Sequence, residues 1–149
     1  MSATAKFVAV GVALLGLAAR AGGGAEAVTA AALGIALTTD RDRYAPGDTI
    51  AAELVVSNRA GHAVTLHFMS GQRYDFSIED PKKKVVWRWS ADRMFTQMLG
   101  EETLGPGREE LVYRERLPAP RALGTYRVVG TVVASDRPMS VEVTVTVGN

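Results

Sequence analysis

From Leu33 to the C-terminus, apolar side chains return at every second residue, and no segment sustains a 3.6-residue repeat. A period of two puts successive side chains on opposite faces, as in extended chain that turns one face to a core. The cleanest run is the last: Met139, Val141, Val143, Val145 and Val147 alternate with Ser140, Glu142, Thr144 and Thr146. Ile50 to Val56, Val64 to Phe68 and Tyr126 to Val132 repeat the pattern. Turn-forming clusters separate the runs: YAPGD at 44–48, Asn58 to Gly61, Leu104 to Gly107, the prolines 118 and 120, and Asp136-Arg137-Pro138. About seven to nine short strands at this spacing predict an all-β sandwich. A turn or two around Ala91 to Leu99 is the only helical candidate.

The chain has 149 residues and a formal net charge of +1. That is enough for one core, and it gives no electrostatic footprint for nucleic acid. The one lysine run, Lys82 to Lys84, reads as a solvated turn. Cysteine is absent, which excludes disulfides, thiolate metal sites and cysteine nucleophiles. Residues 1–21 have the three parts of a signal peptide: a short lysine-bearing start, the uncharged run FVAVGVALLGLAA, and small residues around Ala19-Arg20-Ala21. The apolar run is short for a membrane span. The expected organisation is a signal peptide at 1–21, a flexible Gly/Ala-rich lead-in at 22–32 and one β-domain at 33–149. The mature protein is then periplasmic or secreted and free of the membrane, with an uncleaved N-terminal anchor as the alternative.

The segment RYDFSIEDPKKKVVWRWS, residues 73–90, reads as a hairpin. Tyr74, Phe76 and Ile78 share one face, and Val85, Trp87 and Trp89 share another. A four-residue loop, Asp80 to Lys83, with Pro81 second in a type I turn, brings both to the same side. It opposes Ile78 to Val85, Phe76 to Trp87 and Tyr74 to Trp89, and on the other face Asp75 to Arg88. The two tryptophans are therefore expected in the core, with Trp89, nearer the strand end, the more exposed.

No constellation of catalytic residues stands out. His62 and His67 lie five apart in extended chain and point to opposite faces. Asp40, Asp42 and Asp48 match no calcium loop, and AGGG at 21–24 lacks the lysine of a phosphate loop. No metal or cofactor is expected, and the chain does not read as an enzyme. Interest passes to the loops, above all SADRMFTQMLGEETLGPG at 90–107, where Met94, Phe95 and Met98 have no strand pattern to bury them.

SGQRYDF (70–76), VWRWS (86–90), MFTQ (94–97), LGPG (104–107) and GTYRVVG (124–130) occur in one ordered series. The series resembles the BsuPI family of intracellular proteinase inhibitors over about residues 33–147. The resemblance implies an immunoglobulin-like antiparallel β-sandwich that inhibits a serine proteinase without catalysis, as a monomer with a protein partner. Tyr74, Asp75, Phe76, Trp87, Arg88, Trp89 and Tyr126 are the positions expected to preserve the fold. For contact with a proteinase, a rigid convex loop loses little entropy on binding. Gln72-Arg73 and Asp92-Arg93-Met94-Phe95 are the candidate contact residues. The rival function is a non-inhibitory exported module that binds a protein or an envelope polymer through the same loops.

Overall fold

The computed structural model describes residues 32–107 and 109–149. Their strands are β1 (Leu33–Thr39), β2 (Arg43–Tyr44), β3 (Thr49–Asn58), β4 (Val64–Phe68), β5 (Tyr74–Glu79), β6 (Val85–Arg88), β7 (Gly100–Leu104), β8 (Glu110–Pro118), β9 (Gly124–Val132) and β10 (Met139–Val147). Three strands pair in the order β1-β3-β8, five in the order β2-β10-β9-β5-β6, and β4 pairs with β7. All pairs are antiparallel except the short β2–β10 contact. The result is the expected all-β sandwich. The expected signal peptide and residues 22–31 of the lead-in lie outside the described residues. Ala32 is buried, and its carbonyl accepts the Arg59 N–H at 2.7 Å. Among the described residues, no helix is long and apolar enough to cross a membrane.

The period-two runs supply the core. Ile50, Ala52, Leu54 and Val56 of β3 are buried, and they share one cluster with Val128 and Val132 of β9 and the alternate valines of β10. Leu66, Phe68 and Leu104 extend it from the β4–β7 ribbon. At Gly130 the two larger sheets approach closely: a Cβ there would lie 2.9 Å from Leu54 Cδ1, and glycine leaves room for that buried side chain. Tyr126, near the start of β9, donates its hydroxyl to the Ala122 carbonyl at 2.8 Å. This is the tyrosine corner of immunoglobulin-type sandwiches, and it fixes the entry to that strand. Asn58 is fully buried, and its side-chain amide donates to the carbonyls of His62, Leu104 and Gly105 at 2.9 to 3.0 Å. It thereby ties the end of β3 to both ends of the chain segment that carries the ribbon.

The central hairpin departs from its expected register. Asp80 N–H donates to the Lys84 carbonyl at 2.9 Å, and Lys83 takes φ 63°. The loop is thus a type I turn followed by one left-handed residue, three residues long rather than four. That moves the pairing by one. A bulge moves it by one more, because Glu79 faces Val85 while Ile78 faces Trp87, which leaves Val86 unpaired. Beyond the bulge the two single-residue shifts restore parity, so Trp87 and Arg88 keep their expected faces although their partners change; Val85, between the shifts, faces Glu79 instead of Ile78 and is exposed rather than in the core. Arg88 lies opposite Ser77, not Asp75, yet its Nη1 still reaches the Asp75 carboxylate at 3.5 Å on the diagonal.

Exposure of the tryptophans is reversed as well. Trp87 is half-buried on an edge strand, whereas Trp89 is 7% exposed. The chain leaves β6 at Arg88 and enters a single 3-10 turn, Trp89–Asp92, which swings the second indole inward. The helical candidate at 91–99 is confined to that turn. The strand β7, hidden in the stretch read as loop, has one fully buried apolar residue, Leu104, and two adjacent glutamates, so its alternation is faint.

Candidate interaction loop

The site is built from Tyr74 and Asp75 upward. Phe76 N–H and Ser90 N–H both donate to Asp75 Oδ1, at 2.9 and 3.2 Å, and the Ser90 hydroxyl donates to the other carboxylate oxygen. One buried carboxylate thus holds the start of the 3-10 turn, with Arg88 completing its charge balance. Beside it the Tyr74 ring stacks on Trp89 at 4.7 Å and on Tyr113 of β8 at 4.5 Å. The Tyr74 hydroxyl donates to Glu115. The Arg93 guanidinium caps the column 4.2 Å above the Trp89 ring, and its Nε donates to the Trp89 carbonyl at 3.2 Å. Phe95 leans on the same indole at 5.8 Å, half-buried. Two sequence fragments fifteen residues apart, YD and WS, are therefore halves of one clamp.

Arg93 is extended, at φ −114° and ψ 148°, and residues 94–99 form neither helix nor strand before β7. The segment is held laterally where the Thr96 carbonyl accepts the Gly71 N–H at 2.8 Å. A Cβ on Gly71 would lie 2.5 Å from Thr96 Oγ1, so a larger residue here must displace that side chain for the 69–73 and 93–99 segments to pack this closely. Phe68 pairs with Gly100, which brings Met69 beside Leu99 at the mouth of the ribbon. Met94 is 99% exposed, and Met69, Met98 and Leu99 around it are each about two-thirds exposed or more. A segment clamped at its base and side therefore carries an apolar tip in solvent.

The expected contact residues fall into two groups. Asp92, Arg93 and Met94 are exposed, and Phe95 plugs the loop base. Arg73 is committed internally: Nε donates to Glu102 at 3.0 Å, Nη1 to the Ser70 carbonyl at 2.9 Å, and the guanidinium lies 4.6 Å over the Phe68 ring. Gln72 spans its own strand entry, Nε2 donating to the Tyr74 carbonyl at 3.0 Å. Sequence reading named neither Tyr113 nor Glu102 in this site. They come from β8 and β7, and only tertiary pairing brings them to Tyr74 and Arg73. Tyr113 has its phenol pushed up to about 12, by burial first and then by the charge of Glu102. His67 lies 3.3 Å from Glu101, while His62 stands apart in an exposed turn. No cluster of three metal-ligating side chains occurs among the described residues.

The family model for BsuPI, the intracellular proteinase inhibitor, matches residues 37–137. The chain belongs to this family. The matched span runs from β1 through the clamp and the loop to the turn after β9. No curated protein matches the chain significantly. Among solved structures, the sporulation control protein Spo0M of Bacillus subtilis is similar at 16% identity and a TM-score of 0.52, over 79% of this chain and 50% of that one. This BsuPI-family chain therefore spans half the length of Spo0M, and the likeness is one of fold. The CARDB domain of PF1109 from Pyrococcus furiosus is similar at 19% identity and a TM-score of 0.47, over 78% of this chain and 87% of the other. A β-glucosidase from Erythrobacter marinus is similar at 16% identity and a TM-score of 0.46, over 78% of this chain and 15% of the enzyme.

Proposed function

We propose that this chain is a non-catalytic, monomeric inhibitor of a serine proteinase that docks through the 93–99 segment with Met94 leading. The observation that carries this reading is the pairing of a backbone clamped at its base and side with a fully exposed apolar side chain, Met94. Docked in extended form, such a segment fits a proteinase cleft as an added strand, and clamping beforehand lowers the ordering cost. Methionine at the lead favours an apolar specificity pocket over one that takes arginine. Arg73 braces the neighbouring loop in this reading, and Arg93 holds the column while its exposed side touches the partner. No disulfide supports the loop; the Trp89 column takes that part.

Titration against serine proteinases of subtilisin, chymotrypsin and trypsin specificity tests the reading, following both proteolytic activity and cleavage of the chain. Inhibition of an enzyme with an apolar pocket is expected, and Met94→Ala should weaken it by about tenfold or more, the scale of an interface hot spot. Arg73→Ala and Arg93→Ala, measured separately, should weaken it less. Absence of inhibition across the panel, or simple digestion, overturns the reading. The rival is a non-inhibitory exported interaction module. The signal-peptide pattern at 1–21 favours it, because an exported chain cannot meet a cytoplasmic proteinase. Export itself is proposed on that pattern, and the N-terminal sequence of the protein recovered from cell fractions tests it.

A further inference from the structure

The five-stranded sheet ends at β6, and no strand pairs with its outer edge among the described residues. Open edges are usually guarded by charge. The outer strand of the three-stranded sheet follows that rule: β8 exposes Glu110, Arg114 and Arg116 beside Val112. β6 is guarded by its shortness and the bulge at Val86 rather than by charge along its length. Val85 and Val86 are 37% and 47% exposed, and the one charge in the strand, Arg88, is drawn toward Asp75. A groove of about 540 Å³ lies beside β6, lined by its four residues together with Trp89, Ala91 and Arg93, with Asp92 its single carboxylate. At the head of the strand stand Lys82, Lys83 and Lys84, all exposed and without an ion-pair partner among the described residues. Asp80 lies in the same turn, its carboxylate accepting the N–H groups of Lys82 and Lys84, and its charge offsets one of the three, which leaves an excess of two positive charges in this turn.

We propose that the β6 edge is a second binding site, which captures an extended acidic peptide segment of a protein partner by strand addition. Backbone groups of β6 supply the pairing, the groove beside Trp87 takes alternate apolar side chains, and the lysine cluster selects Asp or Glu at the flank. The bulge at Val86 limits the paired stretch to about four residues, a short recognition segment. Met94 and the loop tip take no part, although the two sites share Arg93 and Trp89 at their border.

The test is an amide NMR titration of the full chain with two peptides that share a Thr-Val-Tyr-Val core, one flanked by Glu and Asp, the other by Lys and Arg. Shifts confined to residues 84–88 and the groove are expected, with the acidic peptide at least about tenfold tighter and weakened by added salt. A variant with Lys82, Lys83 and Lys84 all changed to Glu lies on an exposed turn and should reverse the preference without loss of fold. Equal binding of the two peptides, no binding, or shifts at 94–99 instead of β6 overturns the proposal. Concentration-dependent shifts at β6 without peptide overturn it too, since the occupant would then be a second copy of the chain.

Discussion

At the Tyr44 end of the sandwich the chain turns through residues 40–48 on polar contacts. The Tyr44 hydroxyl donates to Asp40 at 2.6 Å and accepts the Arg41 N–H at 2.9 Å, and Asp48 accepts the Ala45 N–H at 2.9 Å. At the Trp89 end the corresponding work is divided: one buried carboxylate starts the turn, and an aromatic column holds the segment beyond it. No large exposed apolar residue lies between 40 and 48, whereas the Trp89 end carries Met69, Met94, Met98 and Leu99. A polar network fixes a turn without exposing large apolar side chains. An aromatic base fixes a loop while leaving apolar side chains beyond it in solvent.

The contrast is broken most directly at Trp89. Trp89→Ala removes the common partner of Tyr74, Arg93 and Phe95 and opens a cavity, so a loss of about 3–5 kcal/mol is expected. Urea unfolding measures it, and amide exchange should rise across 93–99 more than across 40–48. Equal loosening at both ends would mean that the column supports the whole domain rather than the loop. Asp75→Ala comes next. It orphans the N–H groups of Phe76 and Ser90 at a buried site and frees Arg88, for about 2–3 kcal/mol by the same measurement. If Asp75→Ala costs less than about 1 kcal/mol, the carboxylate is not what sets the turn.

The sandwich was legible because in most strands burial alternates with the sequence; β3 and β10 follow the expected pattern residue by residue, whereas β5 is buried on both faces. The partners within the hairpin were not. A left-handed Lys83 has no glycine to announce it, and the bulge falls in the pair Val85-Val86, either of which fits either register. The Trp89 reversal arises from backbone outside the period-two rule, a 3-10 turn that carries a residue from strand edge to core. Tyr74 and Trp89 were expected to meet, and they do, but as stacked rings across a turn rather than as strand partners. The loop residues were legible by elimination alone. That Arg73 is committed to Glu102 while Met94 is free depends on β7, whose alternation the sequence scarcely shows.

The Tyr44 end offers the milder perturbation. Tyr44→Phe deletes a hydroxyl and keeps the ring, so about 1–2 kcal/mol is expected, well below Trp89→Ala. The same tyrosine makes the polar end sensitive to alkali. Burial first, then the hydrogen bond to Asp40, pushes its phenol up to about 12, and Tyr113 reaches about 12 at the other end. Burial and the bond to Glu115 also raise Tyr74. Each folded-state value exceeds the unfolded value near 10, so between those limits the unfolded chain holds fewer protons. Stability is therefore complete below pH 10 and falls as pH rises toward 12. Unfolding followed by tyrosinate absorbance should show late, cooperative ionisation, and Tyr44→Phe should flatten the fall. An early, stepwise rise near 10 for all four tyrosines would remove this coupling.

The smallest effect is expected at Lys83, and its sign is informative. A lysine at φ 63° crowds its Cβ against the following carbonyl, whereas glycine takes this conformation freely. Glycine also enlarges the freedom of the unfolded chain, which offsets part of the gain. Lys83→Gly should therefore raise stability by about 0.5–1 kcal/mol in urea unfolding. It should leave the hairpin register intact, because the turn is already set by Asp80 through its contacts with Lys82 and Lys84. A loss of stability would mean that the Lys83 side chain makes a favourable contact in the loop that outweighs the strain of its backbone. Neutral behaviour at Lys83, set beside a large loss at Trp89, would place nearly all of the hairpin's influence on the loop in the clamp rather than in the turn that starts the strand.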